Sequence, residues 1–311
     1  MFINRYLLIF LLFLAMSTPA RSLMAGGRIA TEPEQKKENT LSSPELGVEA
    51  YQKGEYKTAY REFRKAAFKG QADSQYNLAI MLYEGKGIAR DKGEAIYWLL
   101  QSAEQGDVSA QYNLGVLYST DKTLPDETPK MDHGVLYFEV NPRGKSNMQK
   151  AFDWYKKAAE QGHESSQLNL GVMYNQGRGV KRDYVEAAHW YEKAAAQGNA
   201  KAQLNLGILY DQGLGMKKDI MKAAEYYRQA AERGIRDAQY NLGIIYFNGE
   251  GGIAQDYQES YAWLSLAAEQ GSELAFIYKE KIEKKLKIGS RRSARELAMS
   301  YYKKYLEPFR N

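Results

Sequence analysis

The sequence predicts an all-α protein, a solenoid built from repeated pairs of antiparallel helices. Five blocks of similar sequence recur along the chain, from SQYNLAIMLY at position 74 to AQYNLGIIY at position 238. Their spacing is 36 residues, apart from one step of 56. A second block, such as EAAHWYEKAAAQG, follows each of them and closes on a glycine. Self-similarity at a fixed period of this size is typical of stacked-repeat proteins.

Both blocks have helical spacing. In AQLNLGILY, Leu204, Gly207 and Ile208 lie at i, i+3 and i+4 and therefore share one helical face. In the second block, Ala187 and Tyr191 are four residues apart in the same way. Each repeat is thus predicted to be a pair of short helices. Because neither helix can bury its apolar face alone, neighbouring repeats must stack on one another.

The period divides the chain into six repeats and a terminal cap. The third repeat carries 20 additional residues, which we assign to an insertion at 119–146 that contains the strand-like segment VLYFEV. After residue 271 the pattern fades into two further helices with a predicted polar outer face, a basic helical cap at 272–311. The predicted repeats are 44–70, 72–106, 108–162, 164–198, 200–234 and 236–271.

The stretch NQGRGVKRD at 175–183 resembles a phosphate-binding loop, because two glycines are followed by basic residues. No strand precedes it, however, and similar stretches occur in three other repeats, so we interpret it as the turn between two helices. Its first glycine fits a helix C-cap and Asp183 fits an N-cap, with Glu186 completing a capping box. The equivalent cap positions are Asp91, Asn147, Asp219 and Asp256.

At these residues a family resemblance becomes specific. The segment AQLNLGILYDQGLGMKKDIMKAAEYYRQAAERGIR resembles a Sel1-like repeat, a relative of the tetratricopeptide repeat. The match covers about 72–271, and 44–70 is a looser tetratricopeptide-like repeat. The resemblance implies a right-handed α/α solenoid of Sel1-like and tetratricopeptide-like helix pairs. It also implies that the protein binds other proteins or peptides on a concave face lined by the first helices, without catalysis.

Two sets of residues at fixed positions of the repeat are interpreted as structural. An aromatic ring recurs in the second helix, where it fits a core wedge better than a ladder for stacking a ligand. These rings are Trp98, Trp154, Trp190, Tyr226 and Trp263. A small residue recurs in the first helix, where glycine costs about 1 kcal/mol relative to alanine and so indicates close helix contact. These small residues are Ala79, Gly115, Gly171, Gly207 and Gly243.

Two groups of residues are candidates for partner binding. A ladder of asparagines in the first helices could bond backbone across repeats or offer amides to an extended peptide on the concave wall. A glutamine ladder lies two residues earlier. Tyr137 and Phe138 in the insertion could anchor a partner, since interface energy concentrates in aromatic residues. The partner is expected to touch both the wall and the insertion. The asparagine candidates are Asn113, Asn169, Asn205 and Asn241.

Composition excludes several functional classes. The chain has no cysteine, hence no thiol nucleophile, disulfide or cysteine metal site. Its three histidines lie far apart, so no metal or other cofactor is expected. Residues 279–311 contain eleven Lys and Arg against four Asp and Glu, a net of +7. This tail could contact an anionic surface or form a solvated helix end, and no nucleic-acid partner is expected.

The signals for catalysis are weak. A cysteine-rich branch of Sel1-like proteins is associated with β-lactams, but this chain lacks its cysteines. STDK at 119–122 and SYYK at 300–303 match S-x-x-K without the companion motifs of β-lactam enzymes. A peptidoglycan- or β-lactam-directed enzyme is therefore one alternative to a non-enzymatic scaffold. A secreted effector that binds a host protein is another.

The N-terminus has the layout of a secretory signal. One basic residue precedes an apolar run at 6–16, and small residues follow at candidate cleavage sites after Ala20 or Ser22. The run is shorter than the roughly 20 residues of a membrane span. We therefore expect a signal peptide at 1–20, a flexible linker at 21–43 and a periplasmic location. The alternatives are secretion, or membrane anchoring by an uncleaved N-terminus.

Overall fold

The computed structural model describes residues 42–121, 128–132, 135–139 and 145–309. The predicted signal peptide, most of the predicted linker and parts of the insertion lie outside these ranges. Within them the chain forms fourteen α-helices, one short 3-10 helix and one two-stranded β-hairpin. This is the predicted all-α repeat solenoid. The chain divides into an N-terminal unit, which ends at Asn147, and a C-terminal unit, which begins at Met148.

The N-terminal unit contains five helices and the hairpin. Ser42 precedes α1, and its backbone amide donates a hydrogen bond to Glu45 at 2.9 Å. The helices are α1 (Ser43–Gln52), α2 (Tyr56–Ala67), α3 (Ala72–Glu84), α4 (Lys92–Glu104) and α5 (Val108–Thr120). The hairpin strands are β1 (Thr128–Asp132) and β2 (Val135–Glu139), which pair antiparallel within the predicted insertion.

The C-terminal unit holds the remaining helices, apart from Asn147, the first residue of α6, which belongs to the N-terminal unit. Asn147 is therefore the first helical residue and not the N-cap that the repeat pattern predicts. The helices are α6 (Asn147–Glu160), α7 (Glu164–Gln176), α8 (Tyr184–Ala196), α9 (Ala200–Gln212), α10 (Ile220–Ala231), α11 (Arg236–Asn248), α12 (Tyr257–Glu269), α13 (Glu273–Lys285) and α14 (Ile288–Tyr305).

The turns within each repeat follow the predicted capping chemistry. Gly177 ends α7 with φ +71°, the left-handed conformation that glycine adopts at least cost. The Asp183 side chain then caps α8 by accepting hydrogen bonds from Val185 and Glu186 amides. In two repeats the glutamate three residues after the cap binds an indole, since Glu94 accepts from Trp98 at 3.1 Å and Glu259 accepts from Trp263 at 3.2 Å. It thereby orients a core ring.

The second glycine of the turn is required by close packing as well as by its backbone conformation. Gly215 has φ +72°, and a Cβ atom there would lie 2.6 Å from the carbonyl carbon of Tyr184. That carbonyl belongs to the first turn of α8, the second helix of the preceding repeat. The turn therefore rests on the neighbouring repeat, which explains why it is a packing element and not a phosphate loop.

Buried glutamines join successive repeats. Gln203 in α9 donates a hydrogen bond to the carbonyl of Ala195 at the end of α8, and its Oε1 accepts one from Arg233 after α10. Each of these glutamines is at most 4 % exposed. We call this arrangement the glutamine clamp. The donor–acceptor pairs are Gln75–Ala67 (3.1 Å), Gln111–Ala103 (3.0 Å), Gln167–Ala159 (3.1 Å), Gln203–Ala195 (3.4 Å) and Gln239–Ala231 (3.1 Å).

The glutamine clamp adds a second hydrogen bond to a carbonyl at the end of each second helix. The same carbonyl already accepts a hydrogen bond from the amide of the closing glycine, as Ala195 does from Gly198 at 2.9 Å. The buried glutamine amide itself gains a partner, and leaving such a group unpaired costs roughly 1–3 kcal/mol. For the asparagines, backbone bonding across repeats was one of two interpretations that the sequence left open. The glutamines two residues earlier make those bonds.

The small residue of the first helix lies under a side chain of the second. A Cβ atom on Gly207 would lie 2.7 Å from the ring of Tyr227, and one on Gly171 would lie 2.6 Å from Tyr191. In these two repeats the first helix packs its backbone directly on an aromatic ring. This confirms the predicted close contact. In the sixth repeat a Cβ atom on Gly243 would lie 2.7 Å from Cγ of Leu264, and in the second repeat the same positions hold Ala79 and Leu99, both buried.

The recurrent ring of the second helix is largely a core residue, as predicted. Trp98, Trp190 and Trp263 are buried, while Trp154 and Tyr226 are only partly buried. The predicted polar outer face of the terminal cap was wrong. On α13, Leu274 is 48 % exposed and Ile277 is 47 % exposed, because α14 packs against α12 and leaves this side of α13 open.

We predict that Gly207→Ala destabilises the protein by about 1–3 kcal/mol, because the new methyl group meets the Tyr227 ring, and that Gly207→Val is worse. Thermal melts measure both variants. In a Tyr227→Leu background, which imitates the Ala79–Leu99 pair, Gly207→Ala should cost much less. Gly289→Ala is the control, since a Cβ there meets nothing within 4 Å. Equal costs of Gly207→Ala in both backgrounds would show that the ring does not require glycine.

Candidate functional site

The predicted asparagine positions lie in one register of the first helices. Within the C-terminal unit, Asn169, Asn205 and Asn241 are in α7, α9 and α11 respectively. Asn169 and Asn205 are half-buried, so their amides lie at the protein surface beside apolar neighbours. One step along the same helical face, Val172 and Ile208 are also half-buried. We call this stripe of amide and aliphatic groups the asparagine face.

The asparagines differ in how their amides are used. In the N-terminal unit, Asn113 donates to the hydroxyl of Tyr76, in the preceding first helix, at 3.1 Å. Burial raises the pKa of Tyr76, so this hydroxyl stays protonated. Asn113 is therefore part of a structural bond across repeats. At the residue equivalent to Tyr76, the C-terminal unit has Leu168 and Leu204, which offer no acceptor.

Asn241 shows most clearly the effect of the missing acceptor. It is 6 % exposed, and its Nδ2 atom is a buried donor without a hydrogen-bond partner among the described residues. Leaving such a group unpaired costs roughly 1–3 kcal/mol. Native structures keep few such groups, and a bound ligand that supplies an acceptor removes the cost. Ile244, one step along the same helical face, is also buried and packs in one cluster with Ala275 and Ile282 of α13. The chain itself therefore covers Asn241, and the amides of this face that lie at the protein surface are those of Asn169 and Asn205.

The predicted aromatic anchors are in the β-hairpin. Tyr137 and Phe138 belong to β2, where their backbones pair with Lys130 and Pro129 of β1. The side chains of these two aromatics lie outside the part of the molecule that the structure describes. The strand predicted for VLYFEV is confirmed, and its partner strand, which includes Pro129, was not predicted. Their role as anchors stays a prediction.

The two S-x-x-K matches have helical contexts. Ser119 was expected in a loop but lies in the last turn of α5, and its hydroxyl donates to the carbonyl of Val116 at 2.9 Å. Ser300 lies in α14 and donates to the carbonyl of Leu297 at 2.7 Å. Over the described residues, no group of three or more acidic or histidine side chains is arranged to hold a metal ion. None of the described helices combines the length and apolar character of a membrane span.

A histidine caps one of the first helices. The Nδ1 atom of His163 accepts a hydrogen bond from the Ser166 amide at 3.2 Å and lies 2.9 Å from the Ser166 hydroxyl. Burial lowers the pKa of His163, and the adjacent Glu164 opposes this shift only in part. The neutral ring is the form that can accept at Nδ1. In the next repeat, Asn199 caps α9 at the same position.

The pattern of the Sel1 repeat matches this chain at 72–107, 108–129, 142–163, 164–199, 200–235 and 236–272. The chain belongs to the Sel1 repeat family. The two shorter matches flank the β-hairpin, which is therefore an addition within one repeat. The solenoid implied by the sequence resemblance is thus confirmed.

Two proteins show how similar this chain is to known structures and sequences. The crystal structure of a Sel1 repeat protein from Oxalobacter formigenes is 29 % identical, with a TM-score of 0.60, and the match covers 83 % of this chain and 97 % of that one. An exopolysaccharide production negative regulator of Rhizobium leguminosarum bv. viciae is 33 % identical over 199 residues, covering 53 % of this chain and 72 % of the regulator.

A eukaryotic relative matches only in part. The DAP3-binding cell death enhancer 1 of Rattus norvegicus is 28 % identical over 180 residues, which cover 46 % of this chain. The chain spans 31 % of that relative's length.

Sequence reasoning missed a second surface, on the second helices. A pocket of about 580 Å³ lies beside Trp190, with Lys156 of α6, Tyr174 of α7 and Glu186 of α8 in its lining. The recurrent tryptophan was assigned wholly to the core. The sequence feature that could have indicated the pocket is Glu186, four residues before Trp190, because it places a charged group on the lining of the pocket.

We predict that His163→Asn makes the stability of the protein less dependent on pH between about 5 and 7. The folded state holds the pKa of His163 below its usual value near 6.5, so the unfolded chain binds more protons in this range. The stabilisation from the neutral cap is present above pH 6.5 and is lost as the pH falls through the lowered pKa. Thermal melts of both proteins from pH 7.5 to 4.5 measure this. Parallel curves would contradict it.

Proposed function

We propose that this chain is a non-catalytic protein-interaction scaffold that binds an extended peptide segment of a partner on the asparagine face. The observation that carries the proposal is the pair of half-buried amides of Asn169 and Asn205, which lie on one helical register of successive repeats beside half-buried aliphatic side chains. Side-chain amides can donate to the backbone carbonyls of an extended peptide, which are otherwise free. Aliphatic neighbours such as Ile208 would contact the peptide side chains.

Membership of a repeat family supports this proposal in a general way. The rat relative is described by its name as binding DAP3, and the Rhizobium relative as a negative regulator. We propose by analogy that the present chain regulates or assembles a protein complex. The leader-like sequence at 6–16 supports a site of action in the periplasm, as an adaptor or regulator of an envelope process.

The β-hairpin is the proposed source of specificity. Similar repeats offer similar surfaces, and discrimination between partners needs a feature that is not repeated. The hairpin interrupts one repeat and brings Tyr137 and Phe138 into a defined antiparallel register. We propose that these aromatics contact the partner in addition to the asparagine face.

We predict that Asn169→Ala together with Asn205→Ala lowers partner affinity about tenfold or more, because each lost amide bond is worth roughly 0.5–1.5 kcal/mol. The partner is identified first by crosslinking and pull-down from the envelope fraction of the source cell, and affinity is then measured with purified proteins. Asn248→Ala, an exposed asparagine of α11, is the matched control. Equal affinity of the double variant and the control would remove the asparagine face from the proposal.

Replacing 121–140 by a short Gly/Ser linker tests the hairpin separately. We predict unchanged melting of the helical repeats and strongly reduced partner capture. Unchanged capture would reject the hairpin while leaving the asparagine face untouched. The same preparations are incubated with a fluorescent β-lactam and with peptidoglycan. Covalent labelling or release of muropeptides would favour an enzyme over a scaffold.

The export proposal has its own test. We predict that protein recovered from the periplasmic fraction of the source cell begins near Arg21 or Leu23, because signal peptidase cuts after small residues. N-terminal sequencing or intact-mass measurement decides this. A protein that begins at Met1 in the membrane fraction would favour an uncleaved anchor.

A further inference from the structure

The pocket beside Trp190 is one member of a series. In the C-terminal unit, each pair of neighbouring second helices forms a groove whose floor is the recurrent ring and a tyrosine from the end of a first helix. In the groove between α6 and α8 these residues are Trp190 and Tyr174, with Lys156 and Glu186 on the two sides. We call this the α6–α8 groove. Among the described residues it has a free volume of about 580 Å³.

The equivalent groove two repeats further along the chain is occupied by α14. Between α10 and α12, the equivalent floor is Trp263 and Tyr246, and the equivalent sides are Arg228 and Glu259. Tyr301 of α14 lies with its ring centroid 4.7 Å from that of Trp263, and its hydroxyl donates to Glu259 at 3.0 Å. The pKa of Tyr301 is raised, first by its partial burial and then by the charge of Glu259, which agrees with a hydroxyl that donates to this carboxylate.

A second tyrosine completes this contact. Tyr305, one helical turn after Tyr301, stacks on Trp263 with a centroid distance of 5.4 Å and an interplanar angle of 24°. Leu306 follows and is 4 % exposed within the same cluster. α14 therefore shows which helix surface fits such a groove. Two tyrosines four residues apart cover the tryptophan, and one hydroxyl pairs with the glutamate.

The groove between α8 and α10 is closed by its own residues. Tyr210 and Tyr226 stack on each other at 5.8 Å with an interplanar angle of 11°. The position of Glu186 is occupied there by Lys222, whose Nζ lies 5.2 Å from the Tyr210 ring. This groove lacks the carboxylate. In the α6–α8 groove, Trp190 is 6 % exposed and the Nζ of Lys193 lies 4.4 Å from its ring, so an aromatic occupant would take the place of this lysine over the tryptophan. Of the three grooves in the C-terminal unit, the α6–α8 groove thus keeps the recognition groups and has no helix of this chain upon it among the described residues.

We propose that the α6–α8 groove binds an amphipathic helix of a partner protein, which presents two aromatic residues four positions apart, the first of them tyrosine. The aromatic pair covers Trp190, and the tyrosine hydroxyl donates to Glu186. A second copy of this chain is a poorer occupant, because its α14 is already seated in its own groove. This surface is formed by the second helices and is separate from the asparagine face, so it goes beyond the proposed function.

A peptide with the sequence of α14 is the probe for this proposal. A fluorescently labelled peptide with the sequence of residues 288–309 is titrated into the full-length protein, and binding is followed by anisotropy. We expect saturable binding in the micromolar range, weakened about five- to tenfold by Glu186→Gln, because one hydrogen bond to a carboxylate is lost. Glu225→Gln, on the exposed side of α10, is the matched control and leaves binding unchanged. A Tyr301→Phe peptide should bind the unmodified protein as weakly as the original peptide binds the Glu186→Gln variant.

Two further measurements exclude the competing explanations. The peptide could displace α14 from its own groove, so a photoreactive phenylalanine in place of Tyr305 is used to map the contact. Crosslinks to Lys156 or to 174–190 support the proposal. Crosslinks confined to α10 and α12, or weakening by Glu259→Gln but not by Glu186→Gln, would overturn it. Absence of binding would also overturn the proposal. So would a dimer in which two chains exchange their α14 helices, detected by sedimentation. Melting of the Glu186→Gln variant confirms that it is folded.

Discussion

The fold depends on the buried side-chain amides of the glutamine clamp, which hydrogen-bond to backbone carbonyls of the neighbouring repeat. Where one repeat follows another, the last turn of the earlier second helix presents a carbonyl that accepts two hydrogen bonds, one from the closing glycine and one from the glutamine clamp. Gln167 donates to Ala159 at 3.1 Å, and its oxygen accepts from Gln197 at the end of the next second helix at 2.7 Å. One buried residue thus joins the ends of two second helices to the first helix between them. A stack of short helices, each too short to be stable alone, becomes cooperative by this means.

Close packing of rings on glycine sets the distance between the two helices of a repeat. Tyr191 over Gly171 and Tyr227 over Gly207 bring the first helix against the second with no side chain between them. The rings that face outward from the second helices then form grooves along the outer surface. The states of these grooves differ along the chain. Lys222 with Tyr226 closes one groove, Glu259 with Trp263 receives α14, and Glu186 with Trp190 stays open.

The two surfaces suit two kinds of partner segment. The asparagine face offers amides and aliphatic groups, which fit an extended backbone. The α6–α8 groove offers a tryptophan floor and a carboxylate, which fit a helix. A scaffold that holds an extended segment of one protein and a helix of another would bring the two together, and neither contact requires the chain to catalyse a reaction.

The sequence by itself determined the repeat, its helix pairs and its turns, because these depend on local chemistry. The left-handed Gly177, the cap at Asp183 and the 36-residue period are all consequences of residues close together in the chain. The candidate residues of the asparagine face were also found from their spacing. Tertiary structure alone decided which amides are already used, because Asn113 meets a tyrosine from the preceding repeat where Asn241 meets none. It also decided the path of α14, whose tyrosines reach Trp263 across a distance in sequence that no periodicity encodes.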